Sequence, residues 1–478
     1  VAAVTAGAAH RTRATPAPAT GNVHGTTARH DGTAQGKTGG RTTVTDSYLP
    51  QHGDSGYRTT EYDLELDYLP HTGRLAGRAR ITGVAERALS EVALDLGQFR
   101  LTKVLVDGGR PAKYTHRGDK LRIRPARPLR PGAAFTVEVR YTGVPHPVRT
   151  RDWGDLGWEQ LEEGALVASQ PHGARSWFPC NDRPDDKAVY RFAVTAPSPY
   201  TVVANGALVS RTISASTTTW VYEQCAPMAT YLATVQIGPY ELVDVPHAGP
   251  VPQPAAVPQA LLGRFEHDFA RQPQMMTVFQ DLFGPYPFDD YAVVVVDEEL
   301  DVPVEAQGLS IFGANHVDGR RGSERLVAHE LAHQWFGNSL TVADWRHIWL
   351  NEGFAKYAEW LWSEISGGPS AAGMAATSRA RLSMMRQDLR VADPGLRRLF
   401  DDRVYERGAL TLHALRTEIG HAAFVGLLRE WTATHRHGVV TTEEFIAMAR
   451  RHSARPLDKL FTMWLYETKL PALPQQRR

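Results

Sequence analysis

The chain has 478 residues, too many for one ordinary core, so two or three domains are expected. Lysine plus arginine, 53 in all, balances aspartate plus glutamate, 52, which leaves no basic stripe for a nucleic acid and no acidic tail. The longest apolar run, about Tyr291 to Val296, is far short of the ~18–20 residues that span a bilayer, so no membrane span is expected.

Residues 1–46 are rich in Thr, Gly, Ala and Pro and nearly devoid of large apolar side chains, the composition of a disordered tail. Within it, Val1 to Ala9 (VAAVTAGAA) has the small-residue character of the end of a secretion signal, so a secreted protein is expected, with the cytoplasm as the alternative. From Tyr62 the pattern changes. Tyr62, Leu64, Leu66 and Tyr68 alternate with Asp63, Glu65 and Asp67, and Phe135, Val137, Val139 and Tyr141 alternate with their neighbours in the same way, which predicts half-buried strands. Asp107-Gly108-Gly109 and Pro131-Gly132 supply turns, and the pattern assigns residues 47–245 to an all-β domain.

Residues 246–258, PHAGPVPQPAAVP, read as a semi-rigid proline-rich connector, not a helix or a central strand. Beyond it Leu261, Leu262, Phe265 and Phe269, then Met275, Met276, Phe279, Leu282 and Phe283, recur at helical spacing and are core positions. A mostly helical domain is expected over 259–474, with 475–478 as a short tail. Near its end, Thr441 and Glu444 have the spacing of a capping box. The 2 cysteines, Cys180 and Cys225, exclude a thiolate metal cluster, and sequence leaves open whether they pair.

His329-Glu330-Leu331-Ala332-His333 is the most informative segment of the helical part. Side chains at i and i+4 share a helix face, so His329 and His333 can converge on one ion. Glu330 then stands beside that ion, where a carboxylate can take a proton from water. Glu352 follows in Asn351-Glu352-Gly353-Phe354-Ala355, which opens a second apolar helix that runs through Tyr357, Trp360 and Leu361 to Gly367-Gly368-Pro369. A chance match of two core histidines and an ordinary glutamate is the bland alternative. Against it, Val327, Ala328, Leu331, Ala332 and Trp335 make the helix apolar, and a buried Glu-His pair is costly unless a metal or hydrogen bonds satisfy it. The set predicts one Zn2+ per chain on His329, His333 and Glu352 with Glu330 as general base, and so a zinc hydrolase.

Taken with their surroundings, His329 to Asn338 (HELAHQWFGN) and Trp349 to Ala355 (WLNEGFA) closely resemble the zinc signature of the gluzincin aminopeptidases related to alanyl aminopeptidase and leukotriene hydrolase. Three further segments fall in the family's order: Phe178-Pro179-Cys180-Asn181-Asp182 with Pro184 and Lys187, Pro227 to Leu232, and Tyr405-Glu406-Arg407-Gly408. The resemblance runs from Tyr48 to about Pro474. It implies an α+β multidomain protein, with a β-rich saddle-like amino-terminal domain followed by a mostly helical thermolysin-like catalytic domain. It also implies a short form without the long helical carboxy-terminal domain of larger members, and hence a more open cleft.

Carried over residue by residue, the resemblance makes Tyr405 the donor to the oxyanion, Glu305 the anchor of the substrate's free α-amine and Gln170 its helper from the first domain. Glu359, at i+7 from Glu352, is placed to orient a ligand histidine. Two departures stand out: Arg407 occupies a position where lysine is commoner, and the G-A-M-E-N motif reads Val302-Pro303-Val304-Glu305-Ala306, which keeps only its glutamate and leaves the shape of the first specificity pocket open. The expected function is a monomeric zinc aminopeptidase that acts on peptides by way of a zinc-activated water. A thermolysin-like endopeptidase and a catalytically inactive zinc-containing peptide-binding protein are the alternatives, the latter disfavoured because a structural site needs no general base.

Overall fold

The computed structural model describes residues 45–246 and 249–474. The β-rich then helical order expected from the sequence is observed. Alternation in the first part becomes strand Tyr57–Leu69, in which Tyr62, Leu64, Leu66 and Tyr68 are all buried. This strand lies inside a 7-stranded sheet, antiparallel to Arg74–Ala85 and parallel to Lys187–Pro197. A second, 5-stranded sheet includes Asp155–Leu161 and Gly164–Ala168, which run antiparallel and bring Leu156, Ala168 and Gln170 to one end.

The proline-rich connector is corrected by the structure. Pro254–Pro258 is an inner strand, paired antiparallel with Tyr240–Asp244 and parallel with Ala292–Val296 in a 5-stranded sheet ordered Tyr240–Asp244, Pro254–Pro258, Ala292–Val296, Leu309–Gly313 and Val304–Ala306. Proline is tolerated because Pro254 and Pro258 stand at the strand's ends, while Ala255, Ala256 and Val257 between them are buried and supply its ladder amides. The boundary expected at 245 falls inside this sheet, since Tyr240–Asp244 pairs with Pro254–Pro258 on its far side.

Of the proposed tail, residues 1–44, with the signal-like stretch, lie outside the described residues, as do 475–478. Its last residue is structural: Asp46 is buried, and its carboxylate accepts hydrogen bonds from the backbone of Tyr48, Leu49 and Trp345. Cys180 is buried, Cys225 is exposed, and neither is in a disulfide. Among the described residues no helix is long and apolar enough to cross a membrane.

Three helices of the second domain frame the site: Glu324–His333, Trp349–Ile365 and Asp402–Ile419. The last two cross almost backbone to backbone. A Cβ on Gly353 would lie 2.8 Å from the Cα of Gly408, and one on Gly408 would lie 2.7 Å from the Cα of Gly353. Any larger residue at either place drives the helices apart, which explains glycine directly after Glu352 and three residues after Tyr405.

Candidate active site

His329 and His333 lie one turn apart on Glu324–His333, in a stretch buried from Val327 onward. The helix directs both imidazoles toward Glu352 in the first turn of Trp349–Ile365. The Nε2 atoms of His329 and His333 stand 3.7 and 3.4 Å from the same Glu352 oxygen. Ligand atoms held tetrahedrally at zinc bond lengths of about 2.0–2.1 Å are separated by roughly 3.3 Å, so the three donors already have the spacing of a single ion's shell.

The remaining ring nitrogens are fixed elsewhere. His329 Nδ1 is 2.8 Å from Glu359 Oε1, and His333 Nδ1 is 3.0 Å from the carbonyl of Phe336. With each Nδ1–H donated, each Nε2 presents its lone pair to the common point. The electrostatics agree. Burial works against charge, yet Glu352 and Glu359 raise His329 to about 10, and Glu352 and Glu305 raise His333 to about 9. Burial likewise opposes ionisation of Glu352, which His333 and His329 nevertheless hold down to about 2. The cluster is built to hold positive charge, and the Oε1 atom of Glu352 is buried without a partner. A divalent cation fits these residues.

Glu330 is buried beside the cluster, its Oε2 without a hydrogen-bond partner. Burial, partly offset by His329 and His333, raises it to about 8. A divalent charge at the ligand point favours its carboxylate form, placing it in the range a general base needs. The Tyr405 ring stacks on His329 with centroids 6.1 Å apart, and burial with the nearby Glu352 charge keeps its hydroxyl protonated and able to donate.

Glu305, on the short strand Val304–Ala306, is close enough to Glu330 and His333 for one ligand atom of each to lie within 4.8 Å of the others. Burial raises its carboxyl, and no lysine or arginine pairs with it among the described residues. Gln170 reaches the same cleft from the first domain, and its Nε2 is unpartnered. The cleft, about 440 Å³, brings together all eight residues singled out from the sequence: Gln170, Glu305, His329, Glu330, His333, Glu352, Glu359 and Tyr405.

The chain carries both halves of a known architecture. Residues 58–232 match the peptidase M1 amino-terminal domain, and residues 267–464 match the peptidase family M1 domain. The fold superposes with a TM-score of 0.84 on a Deinococcus radiodurans M1 zinc metallopeptidase mutant bound to a Tyr-Ser-Ala substrate, at 31% identity over 91% of this chain and 100% of that one. This chain belongs to the M1 peptidase family. A two-domain M1 zinc metallopeptidase mutant bound to L-tryptophan is similar to it at a TM-score of 0.83, 31% identity and the same coverage.

Among curated M1 relatives, aminopeptidase M1-B of Oryza sativa subsp. japonica is 26% identical over 332 residues, 65% of this chain and 38% of the relative. Human endoplasmic reticulum aminopeptidase 1 is 25% identical over 418 residues, 80% of this chain and 44% of the relative. The chain thus spans less than half the length of these two curated relatives.

Several M1 segments gain a physical role here. Lys187 donates to the carbonyls of Asn338 and Ser339, both at 2.9 Å, and the Tyr231 hydroxyl donates to the carbonyl of Gly337 at 3.0 Å. The first domain thereby pins the turn that follows the histidine helix and contains His333's acceptor. Arg407 is turned away from the chemistry, its guanidinium donating to five backbone carbonyls between Met463 and Lys469.

Sequence reasoning missed Lys356 and Glu406. Lys356 Nζ bridges Glu359 Oε2 at 3.0 Å and Glu406 Oε1 at 3.6 Å, and Glu406 in turn binds Arg381 at 2.7 Å and Ser378 at 2.5 Å. The available signal was spacing: Lys356 is three residues before Glu359 on one helix face.

Proposed function

We propose that this M1 peptidase is a zinc aminopeptidase that removes amino-terminal residues from peptides. The observation that carries this reading is the placement of the Glu305 carboxylate, which no lysine or arginine pairs among the described residues, against the Glu330 and His333 side of the ligand cluster. An ammonium bound there is fixed at a short, constant distance from the reacting carbonyl, which is how an exopeptidase counts one residue from the end.

His329, His333 and Glu352 would hold the zinc. Bound there, zinc supplies Lewis acidity, polarising a carbonyl oxygen and acidifying water. Glu330 takes the proton from the attacking water and returns it to the leaving nitrogen. Tyr405 donates its hydroxyl hydrogen to the oxygen that becomes negative at the scissile carbon. Glu305 pairs with the free α-ammonium, Gln170 supports that end from the first domain, and Glu359 holds the imidazole of His329 in the ligating tautomer.

The test compares aminoacyl amides with their N-acetylated counterparts in the wild-type protein and in Glu305→Ala. Zinc-dependent cleavage of the free-amine series alone is expected, with discrimination lost in the variant. Internal cleavage of blocked peptides would replace this reading with a thermolysin-like endopeptidase, and zinc binding without hydrolysis would replace it with a peptide-binding protein.

A further inference from the structure

The departure at Val302-Pro303-Val304 left the first specificity pocket undefined by sequence, and the structure defines its walls. Val302 and Pro303 run directly into the strand that carries Glu305. Ala168 lies two residues before Gln170, and Leu156 precedes Gly157, the strand partner of Ala168. Trp153 and Phe400 close this end from opposite domains, their rings 6.0 Å apart and nearly perpendicular at 79°. Trp153 also meets His172 edge-on at 5.6 Å.

Four of the six wall residues, Leu156, Ala168, Pro303 and Phe400, are buried, and none of the six carries a charge. Pro303 offers apolar surface and no amide hydrogen. The cleft's other charged groups, Lys356, Arg381, Asp402 and Glu406, are tied to one another and to Glu359 on the helix side of the ligand cluster. An ammonium held by Glu305 therefore sets the side chain of its own residue among apolar walls, while the rest of the peptide leads toward the charged side.

We infer that the pocket beside Glu305 selects peptides whose first residue is bulky and apolar, aliphatic or aromatic, and discriminates against acidic and basic first residues. The inference rests on the aminopeptidase reading and adds the substrate class. Its physical basis is that Trp153 and Phe400 offer large contact areas to an apolar side chain, whereas a charged one loses hydration among the six uncharged wall residues.

The experiment measures kcat/KM of the zinc-loaded protein for phenylalanyl, leucyl, methionyl, alanyl, lysyl and glutamyl amides. Phenylalanyl and leucyl amides are expected to exceed the alanyl amide by roughly tenfold or more, and the lysyl and glutamyl amides by roughly a hundredfold. Val302→Asp should shift preference toward the lysyl amide, a gain that a misfolded protein cannot show, and Trp153→Ala should shrink the phenylalanyl-to-alanyl ratio. Hydrolysis with flat or charged preference, or a Val302→Asp variant that folds and keeps the wild-type order, would overturn the inference and leave the aminopeptidase reading intact. Failure to cleave any free-amine amide would overturn both.

Discussion

The two sides of the cleft handle charge in opposite ways. On the helix side, Glu359, Lys356, Glu406, Arg381 and Asp402 form a continuous series of ion pairs that begins at His329. On the other side, Glu305 lines the cleft with no lysine or arginine partner among the described residues, and Gln170 leaves a buried amide nitrogen unpartnered. The difference separates two tasks. Charges that position a ligand are compensated within the chain, because one left unpaired would cost stability and geometry. On the proposed reading, the charge that would recognise a substrate is left for the substrate to pair.

The largest effect is expected at the junction of the two sides. Glu330→Gln should lower kcat by about 10²–10⁴-fold while zinc content, measured by atomic emission, stays at one per chain. Near-wild-type turnover in that variant would remove Glu330 from the mechanism. Tyr405→Phe should cost about 10²–10³-fold in kcat with little change in KM, since its hydroxyl acts on charge that develops only in the transition state.

A crossed pair of variants probes the comparison itself. Lys356→Met should weaken zinc binding by about 10–100-fold in a chelator competition, because Glu359 loses the cation that orients it, and Lys356→Arg should recover part of the loss. Discrimination between free and acetylated amides should be unchanged in Lys356→Met and lost in Glu305→Ala, whose zinc affinity in turn should stay near wild type. If both variants move both quantities, the two sides are not separate devices. The smallest effect tests the scaffold shared by both. Gly408→Ala should lower stability by about 1–3 kcal/mol in denaturant unfolding, as the crossing at Gly353 is forced open.

Much of the site was legible because its parts are local. The spacing of His329 and His333 needs only one turn of helix, and Glu352 announces itself in a second apolar helix. Glu305, Gln170 and Tyr405 came from resemblance alone, for nothing in their own neighbourhoods marks them. The i,i+3 spacing of Lys356 and Glu359 was readable within one helix, but the link from Lys356 to Glu406 stayed hidden because an ion pair between two helices leaves no periodic trace in either. The proline-rich 246–258 misled for a related reason: proline count predicts a connector, while strand pairing depends on which amides lie between the prolines and what lies alongside.

By itself, then, the sequence determined a β-rich domain followed by a helical one and a two-histidine, one-glutamate ligand set, because periodicity and helical geometry act over a few residues. Only the tertiary structure decided that Pro254–Pro258 is an inner strand, that Gly353 and Gly408 let two helices touch, that Lys356 links Glu359 to Glu406, and that Trp153 and Phe400 meet across the domains. Each of these is a contact between residues far apart in the chain, and its energy depends on a distance that no local pattern records.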